Sequence, residues 1–475
     1  MPAISYLDFS GGLDRRLPIN LQDASRLWVL RNAYVTLGKR IRKRPGLRRV
    51  AAGLTGSCGL RAISGRLKVF TDRGASFLAP AQVDAIALDV PAWASGQTLA
   101  AVHYADQFSG FPYVVAGYSG GAIGHHYVDA NPSTVITDAN NPRSISVTKA
   151  ASRVFAINGE TVRYCAAGNP RDWTSSSDAG FLPVGLQQDT HTGCTAVGTF
   201  QDALVVFFSE GAQIWDVATD PTANSIRKRL AGIGITNAPL SQASFANDLA
   251  FLSPYGFRSM TVTSQTDRID DTDLGVPIDT LVVPDIATAA AQPDRVQTFG
   301  VWVHELGQYW CVMDAGATSK VWAYSYSRSS KIACWSEYTF PVRITGLATL
   351  AGKVYLRTVD ELYEVAAGQY TDAGQLVAVQ VQMAYQDAKA PGLTKMFWGM
   401  DCVLEGSPDV SFKYDPRDQG KETISQRITG DTRPGDLVPV ELCSTAVAPV
   451  FRHAADEAFE LSALQLYFNP LGPLS

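Results

Sequence analysis

Short apolar runs recur along the middle of the chain, each broken by a tight polar turn and answered by a second apolar run. LKVFTDRGASFL turns near Gly74, YVVAGYSGGAIGHHYV near Gly120 and RVFAINGETVRYCA at Gly159. ALVVFFSEGAQIWDV turns at Gly211, DLAFLSPYGFRSMTV at Gly256, QYWCVMDAGATSKVWAYSY near Gly316 and GKVYLRTVDELYEV near Asp360. Apolar residues alternating with polar ones at period two predict strands, and a polar or glycine turn between two such runs predicts a hairpin. Most successive turns lie about 40–50 residues apart, with a longer step from Gly256 to Gly316; a unit of that length with about four strands is the signature of a β-propeller. A hairpin of this kind can bury one face only by stacking on its neighbours, and a closed ring lets every unit do so. The pattern predicts about seven blades between residues 51 and 370.

The same pattern predicts the flanks. One stretch, IDTLVVPDIATAAAQPD from Ile278 to Asp294, reads as a short helix ending before Pro293. After Gly368, VAVQVQMAYQD, MFWGMDCVLEG, DVSFKYD and AFELSALQLYF alternate like strands, so residues 371–475 are expected to form a small separate β-domain, sandwich-like. Residues 1–50 are expected to form an N-terminal arm carrying a basic hairpin.

Composition agrees with a β-rich globular chain: 475 residues, 46% hydrophobic and 18% charged, with 40 Gly and 25 Pro to supply turns. The start, MPAISYLDFSGGLDRRLPINL, has neither the basic nor the apolar region of a secretory signal, and no apolar run approaches the roughly 20 residues a membrane helix needs. The expectation is a chain made and kept in a cytoplasm, with no membrane insertion. The seven cysteines are scattered without a CxxC pair, which predicts buried free thiols and neither a disulfide framework nor a zinc site.

The chemistry on offer is mostly incomplete. Gly117-Tyr118-Ser119-Gly120-Gly121 matches the nucleophile-elbow pattern G-x-S-x-G, but the elbow needs a helix after the serine, and AIGHHYVDANP reads as a second strand. His125 and His126 are neighbours on that strand, so they point to opposite faces and cannot share a metal. His103, His191, His304 and His453 show no ligand spacing. Asp267, Asp270, Asp271, Asp273 and Asp279 form an acidic stretch without the calcium-loop pattern, and it is expected to be a solvated loop on the propeller rim. There is no GxxxxGK[ST] and no GxGxxG between a strand and a helix, so no cofactor is predicted. The S-x-D-x-G-x-x-W box of sialidases and the repeated GH…WD of WD proteins are missing as well.

Charge is distributed unevenly. The chain's formal net charge is −5, yet Arg26 to Arg49 holds nine Lys or Arg and no Asp or Glu, so the remainder stands at −14. In KRIRKR, a strand would put Lys39, Ile41 and Lys43 on one face and Arg40, Arg42 and Arg44 on the other. With charge on both faces the segment is expected to be an edge, arm or contact surface, outside any buried sheet. Like charges without local counter-charges repel, which points to a partner. Lys39, Arg40, Arg42, Lys43, Arg44, Arg48 and Arg49 are the candidate docking residues, and reversing Arg40, Arg42 and Arg44 to Glu is expected to leave the fold intact. Sequence-reading of DNA is disfavoured: the acidic remainder repels phosphates, and no helix-turn-helix, zinc finger or RNA-binding motif accompanies the patch.

FSGGLDRRLP followed by DASRLWVLRNAYVTLGKRIRKRPGLRRV resembles the N-terminus of the tail nozzle proteins of short-tailed bacteriophages, also called tail tubular or packaged-DNA stabilisation proteins. The shared features are the early GGL, Asn32, a Val-x-x-x-Gly step and the Arg44-Pro45-Gly46 turn; INGETVRYCAAGNPRDWT and NDLAFLSPYGFRSM also resemble blade segments of that family. The resemblance covers the arm and much of the propeller and is weak over residues 371–475. It implies a structural, non-enzymatic virion protein, assembled in the host cytoplasm and located in the virion tail. It implies a ring, usually a hexamer, attached to the adaptor of the portal complex. Such a ring retains the packaged genome, passes double-stranded DNA without sequence specificity during ejection, and meets needle or fibre proteins at its distal end. Two other classes fit a propeller: a glycan lyase or glycosidase with paired carboxylates on the axis, and a monomeric peptide-binding scaffold.

Overall fold

The computed structural model describes the chain except residues 1, 76, 78, 130–132, 177, 189–191, 267–271, 292–297, 315, 433–436 and 474–475. The fold is mainly β, with two short α-helices, Met260–Thr266 and Asp279–Ala290. The second is the helix expected from Ile278 onward.

Seven small strand units, each opening with an antiparallel pair, follow one another from Ser57 to Ala366. Their first strands are Ser57–Ile63, Leu99–Phe108, Val147–Ala150, Ala196–Phe200, Ala243–Phe245, Thr298–Val303 and Gly346–Leu350. In six of the seven, the first strand turns into the second through two residues that both have positive φ: Ser64-Gly65, Ser109-Gly110, Ala151-Ser152, Gln201-Asp202, Ala246-Asn247 and Ala351-Gly352. Positive φ at both central positions is the type I′ geometry, whose twist matches that of the flanking strands. The hairpins expected at Gly120, Gly159, Gly211, Gly256, Gly316 and Asp360 are the turns from second to third strand. The first unit departs from expectation: after the turn at Gly74 the chain does not reverse into a hairpin, and Val83–Leu88 pairs parallel to Arg66–Asp72. In the fifth unit the two helices stand where a fourth strand would.

The expected boundaries at residues 50 and 370 are corrected by strand pairing, because both ends of the chain are woven together. Ala3–Tyr6 pairs with Glu460–Pro473 near the C-terminus. Gly12–Leu13 and Arg26–Arg31 bridge Ile332–Phe340 of the sixth unit to Val379–Met383, making one ten-stranded sheet. The hairpin Ala33–Val35/Ile41–Lys43 joins a second sheet through Glu460 and Leu461. Gly46–Ala51 then becomes the fourth strand of the seventh unit, antiparallel to Leu362–Ala366, with Thr371–Asp372 parallel on its other side. The N-terminal residues are therefore no free arm. Phe397, Met400 and Leu464 of the second sheet meet Leu30, Val381 and Phe451 of the ten-stranded sheet in one buried core. The physical reason is burial: Tyr6, Phe9, Leu27 and Ile41 have essentially no exposed surface, and a detached arm would leave them in water.

Candidate functional site

KRIRKR alternates as a strand should, but one of its two faces lies in the interior. Ile41 and Lys43 point inward at 0% and 1% exposure, and Arg44 is buried at 2%. The expectation that charge on both faces excludes the segment from a buried sheet is overturned, because each buried charge is given partners. The Lys43 ammonium donates to the carbonyls of Ala455 (2.7 Å) and Glu457 (3.5 Å) and lies 3.3 Å from His453 Nδ1. Burial nonetheless pushes its pKa down to about 8. Arg44 makes a forked pair with Asp372, 3.1 Å through Nη1, and donates to Asn32 Oδ1 (3.0 Å) and the Thr339 carbonyl (2.8 Å). Its guanidinium also lies 4.0 Å from the Phe340 ring centre. A buried guanidinium with its donors satisfied in this way is tolerable; one without them is not.

The exposed basic residues have partners too, all distant in sequence. Lys39 meets Asp8 (2.6 Å), Arg40 and Arg42 share Glu460 (3.0 and 2.5 Å), and Arg31 meets Glu337 (3.1 Å). Arg48 and Lys353 share Glu364 (2.9 and 3.2 Å), and Arg49 meets Glu361 (3.1 Å). The missing local counter-charge is supplied by folding. What remains in excess is one positive charge where two arginines share Glu460 and one where Arg48 and Lys353 share Glu364. Of the seven candidate docking residues, Lys43 and Arg44 are removed by burial. Lys39, Arg40, Arg42, Arg48 and Arg49 keep surface exposure. Reversal of Arg44 is now expected to damage the fold.

Arg40 and Arg42 border a cleft of about 390 Å³ that also includes Tyr34, Leu37, Tyr326 and Glu460. Leu37, at the tip of the hairpin, is 68% exposed. A second cavity, of about 330 Å³, is lined by residues of all seven first strands, among them Arg61, His103, Asp106, Thr148, Phe299 and Leu347.

The remaining sequence candidates fall into structural roles. Ser119 sits in an exposed turn, its Oγ accepting from the Thr98 amide (3.2 Å), and the strand Ile123–Tyr127 follows it, as read. His125 and His126 are fully buried with separate partners: Tyr113 OH (2.7 Å) and the Ser144 carbonyl (2.8 Å) for the first, Tyr118 OH (3.0 Å) for the second. Burial lowers their pKa values to about 4 and about 3, so both rings are neutral. Asp267, Asp270, Asp271 and His191 lie outside the described residues. Asp273 is buried, not solvated: it accepts from the Ser259 and Leu274 amides (2.9 and 2.7 Å), and burial raises its pKa to about 6. Asp279 pairs with Arg258 (2.9 Å). Among the cysteines, Cys165, Cys311, Cys334 and Cys402 are buried, Cys58 and Cys194 half-buried, and Cys443, against expectation, is exposed. Among the described residues no three His, Cys, Asp or Glu side chains are grouped to hold a metal, and no helix is long and apolar enough to cross a membrane.

No protein-family model matches the chain, and no curated protein matches it. Solved structures overlap it loosely. A computationally designed protein, Ika8, is 10% identical, with 63% of this chain and 77% of that one covered at a TM-score of 0.32. An exo-β-1,3-galactanase from Phanerochaete chrysosporium is 12% identical, with 78% and 97% covered at 0.29. The extracellular domain of a putative hybrid two-component system from B. thetaiotaomicron is 9% identical, with 87% and 58% covered at 0.40. At such scores these likenesses carry no argument about activity.

Proposed function

We propose that this chain is a structural subunit of a short-tailed phage tail nozzle. In this reading the seven units from Ser57 to Ala366 close as a seven-bladed propeller, sealed by the N-terminal strand Gly46–Ala51 in the last blade. The woven N- and C-terminal strands form a sandwich beside it. Copies assemble as a ring, hexameric by resemblance, on the adaptor below the portal. The ring retains the genome, passes duplex DNA without sequence specificity and meets a needle or fibre at its far end.

The observation that carries the reading is the hairpin edge between Val35 and Arg42. It combines an exposed leucine with two arginines over one carboxylate beside a cleft. An edge with an apolar tip and surplus positive charge suits an acidic protein surface, where charge complementarity sets register and encounter rate. The cavity within the chain has small-ligand dimensions, so a DNA conduit would be built between copies. The overall charge of −5 suits a lumen that does not grip phosphates.

The test is the double variant Leu37→Asp/Arg40→Gln, which leaves Arg42 to pair the nearly buried Glu460 and keeps Lys43 and Arg44 in place. It should match the wild type in far-UV circular dichroism and urea midpoint yet fail to enter tails. Particles that assemble and retain DNA normally with this variant would overturn the docking role.

A further inference from the structure

We propose that the cavity shared by the seven first strands is a binding site for a small oxyanion, a carboxylate or phosphate, organised by Arg61.

Two irregularities on adjacent first strands build the site. In Ser57–Ile63 the register slips between Cys58 and Arg61, with Gly59 at φ +67°. In Leu99–Phe108 it slips between Val102 and Tyr104, leaving His103 as the unpaired residue. A bulge re-aims a side chain that regular pairing would send elsewhere. Here the two bulges put Arg61 and His103 on the wall of one cavity. The bulge geometry is held tightly: a Cβ on Gly59 would come within 2.7 Å of Val102 Cβ.

Charge in the cavity is unbalanced. Asp106, the carboxylate on its wall, is taken up by Lys149 at 2.6 Å, by the Gln107 amide at 2.7 Å and by Tyr104 OH at 3.3 Å. Arg61 donates to the Leu60 carbonyl at 2.9 Å, and among the described residues no carboxylate lies within ion-pair distance of it. Every other arginine of the N-terminal region discussed above has an acid or a set of carbonyls. A guanidinium presents a planar fork that matches carboxylate and phosphate oxygens. On the same wall Thr148 adds a hydroxyl and Gln242 the N–H left after its amide donates to the Val197 carbonyl (2.9 Å), whereas the Ser244 hydroxyl is taken up by the Thr199 carbonyl (3.0 Å); the volume suits a small anion. His103 agrees with this: burial and the neighbouring Arg61 lower its pKa to about 4, so it offers one N–H and no competing charge.

Equilibrium dialysis of the full chain against radiolabelled inorganic phosphate, and separately malonate, reads the site directly. One anion per chain should bind, and the tighter of the two probes assigns the class. Arg61→Met should weaken binding at least tenfold. Asp106→Asn, which removes the nearby negative charge, should tighten it several-fold. Opposite effects from two neighbouring substitutions cannot come from damage to the fold. Absence of saturable binding of either probe, unchanged binding in Arg61→Met, or weaker binding in Asp106→Asn would each overturn the proposal.

Discussion

Replacing Arg44 by Met should cost far more stability than replacing Arg40, four residues earlier in the same basic run. Arg44 and Asp372 are exposed at only 2% and 3% of their side chains, and Arg44 ties Asn32, Thr339 and Asp372 into one cluster. Removing one member leaves the other buried and unpaired, which costs about 3–5 kcal/mol. Arg40 is 54% exposed, and Glu460, though only 9% exposed, keeps Arg42 as its partner when Arg40 is lost, so this change should cost about 0–1 kcal/mol. Against a total stability of about 5–15 kcal/mol, the Arg44 change is a large fraction. Urea unfolding followed by tryptophan fluorescence and circular dichroism together is the assay, with coincident transitions required before free energies are compared. With a slope near ~3 kcal/mol/M, the Arg44→Met midpoint should fall by about 1 M or more, and that of Arg40→Met by no more than about 0.3 M. The double variant Arg44→Met/Asp372→Leu should recover much of the loss, because neither charge is then left alone. If Arg44→Met behaves like Arg40→Met, or the double variant loses the sum of the single losses, the buried clasp is not what holds the N-terminus.

Three further outcomes follow from the same structure. His125 and His126 are neutral when folded, with pKa values below the ordinary 6.5, so the unfolded chain binds more protons and stability falls as pH drops from 6.5 toward 4. Each should contribute up to about 1.4 kcal/mol per pH unit, and His126→Gln should flatten that slope in urea titrations at pH 6.5, 5.5 and 4.5. Lys43, held near 8 against an ordinary 10.5, releases its proton earlier in the folded state, so its contribution to stability rises from pH 8 to 10.5. The wild type should therefore gain on Lys43→Met across that window in paired melts. Gly46→Ala places a Cβ against the Thr371 carbonyl and 2.7 Å from the Thr371 nitrogen, so it should lower stability by about 1–3 kcal/mol or more, measured by the same urea assay.

Most strands of the repeat were legible because alternation and turn residues are local signals. The turns at Gly159, Gly211 and Gly256 announce hairpins through the residues they contain. The more regular feature is silent in the sequence: the two-residue turns Ala151-Ser152, Gln201-Asp202 and Ala246-Asn247 contain no glycine, so their positive φ is not visible in residue type. The N-terminal strands escape a local reading for a different reason. Charge within a local window marks Arg26 to Arg49 as unbalanced, whereas most of its acids, among them Glu337, Glu364, Asp372 and Glu460, arrive from the far end of the chain, with Asp8 and Asp14 from just before it. Pairing between the two ends of a chain leaves no local trace. Arg61 and His103 were likewise not readable as neighbours, since a bulge shows in register and not in composition.

The central claim is that this chain works as one member of a ring in a phage tail. Native mass spectrometry of the purified chain, alone and mixed with portal–adaptor rings, tests it most directly. The account predicts a defined multiple of the 51.1 kDa chain bound to the adaptor, six copies by resemblance, and its loss in Leu37→Asp/Arg40→Gln. A chain that stays monomeric at all concentrations and never joins the adaptor would contradict it.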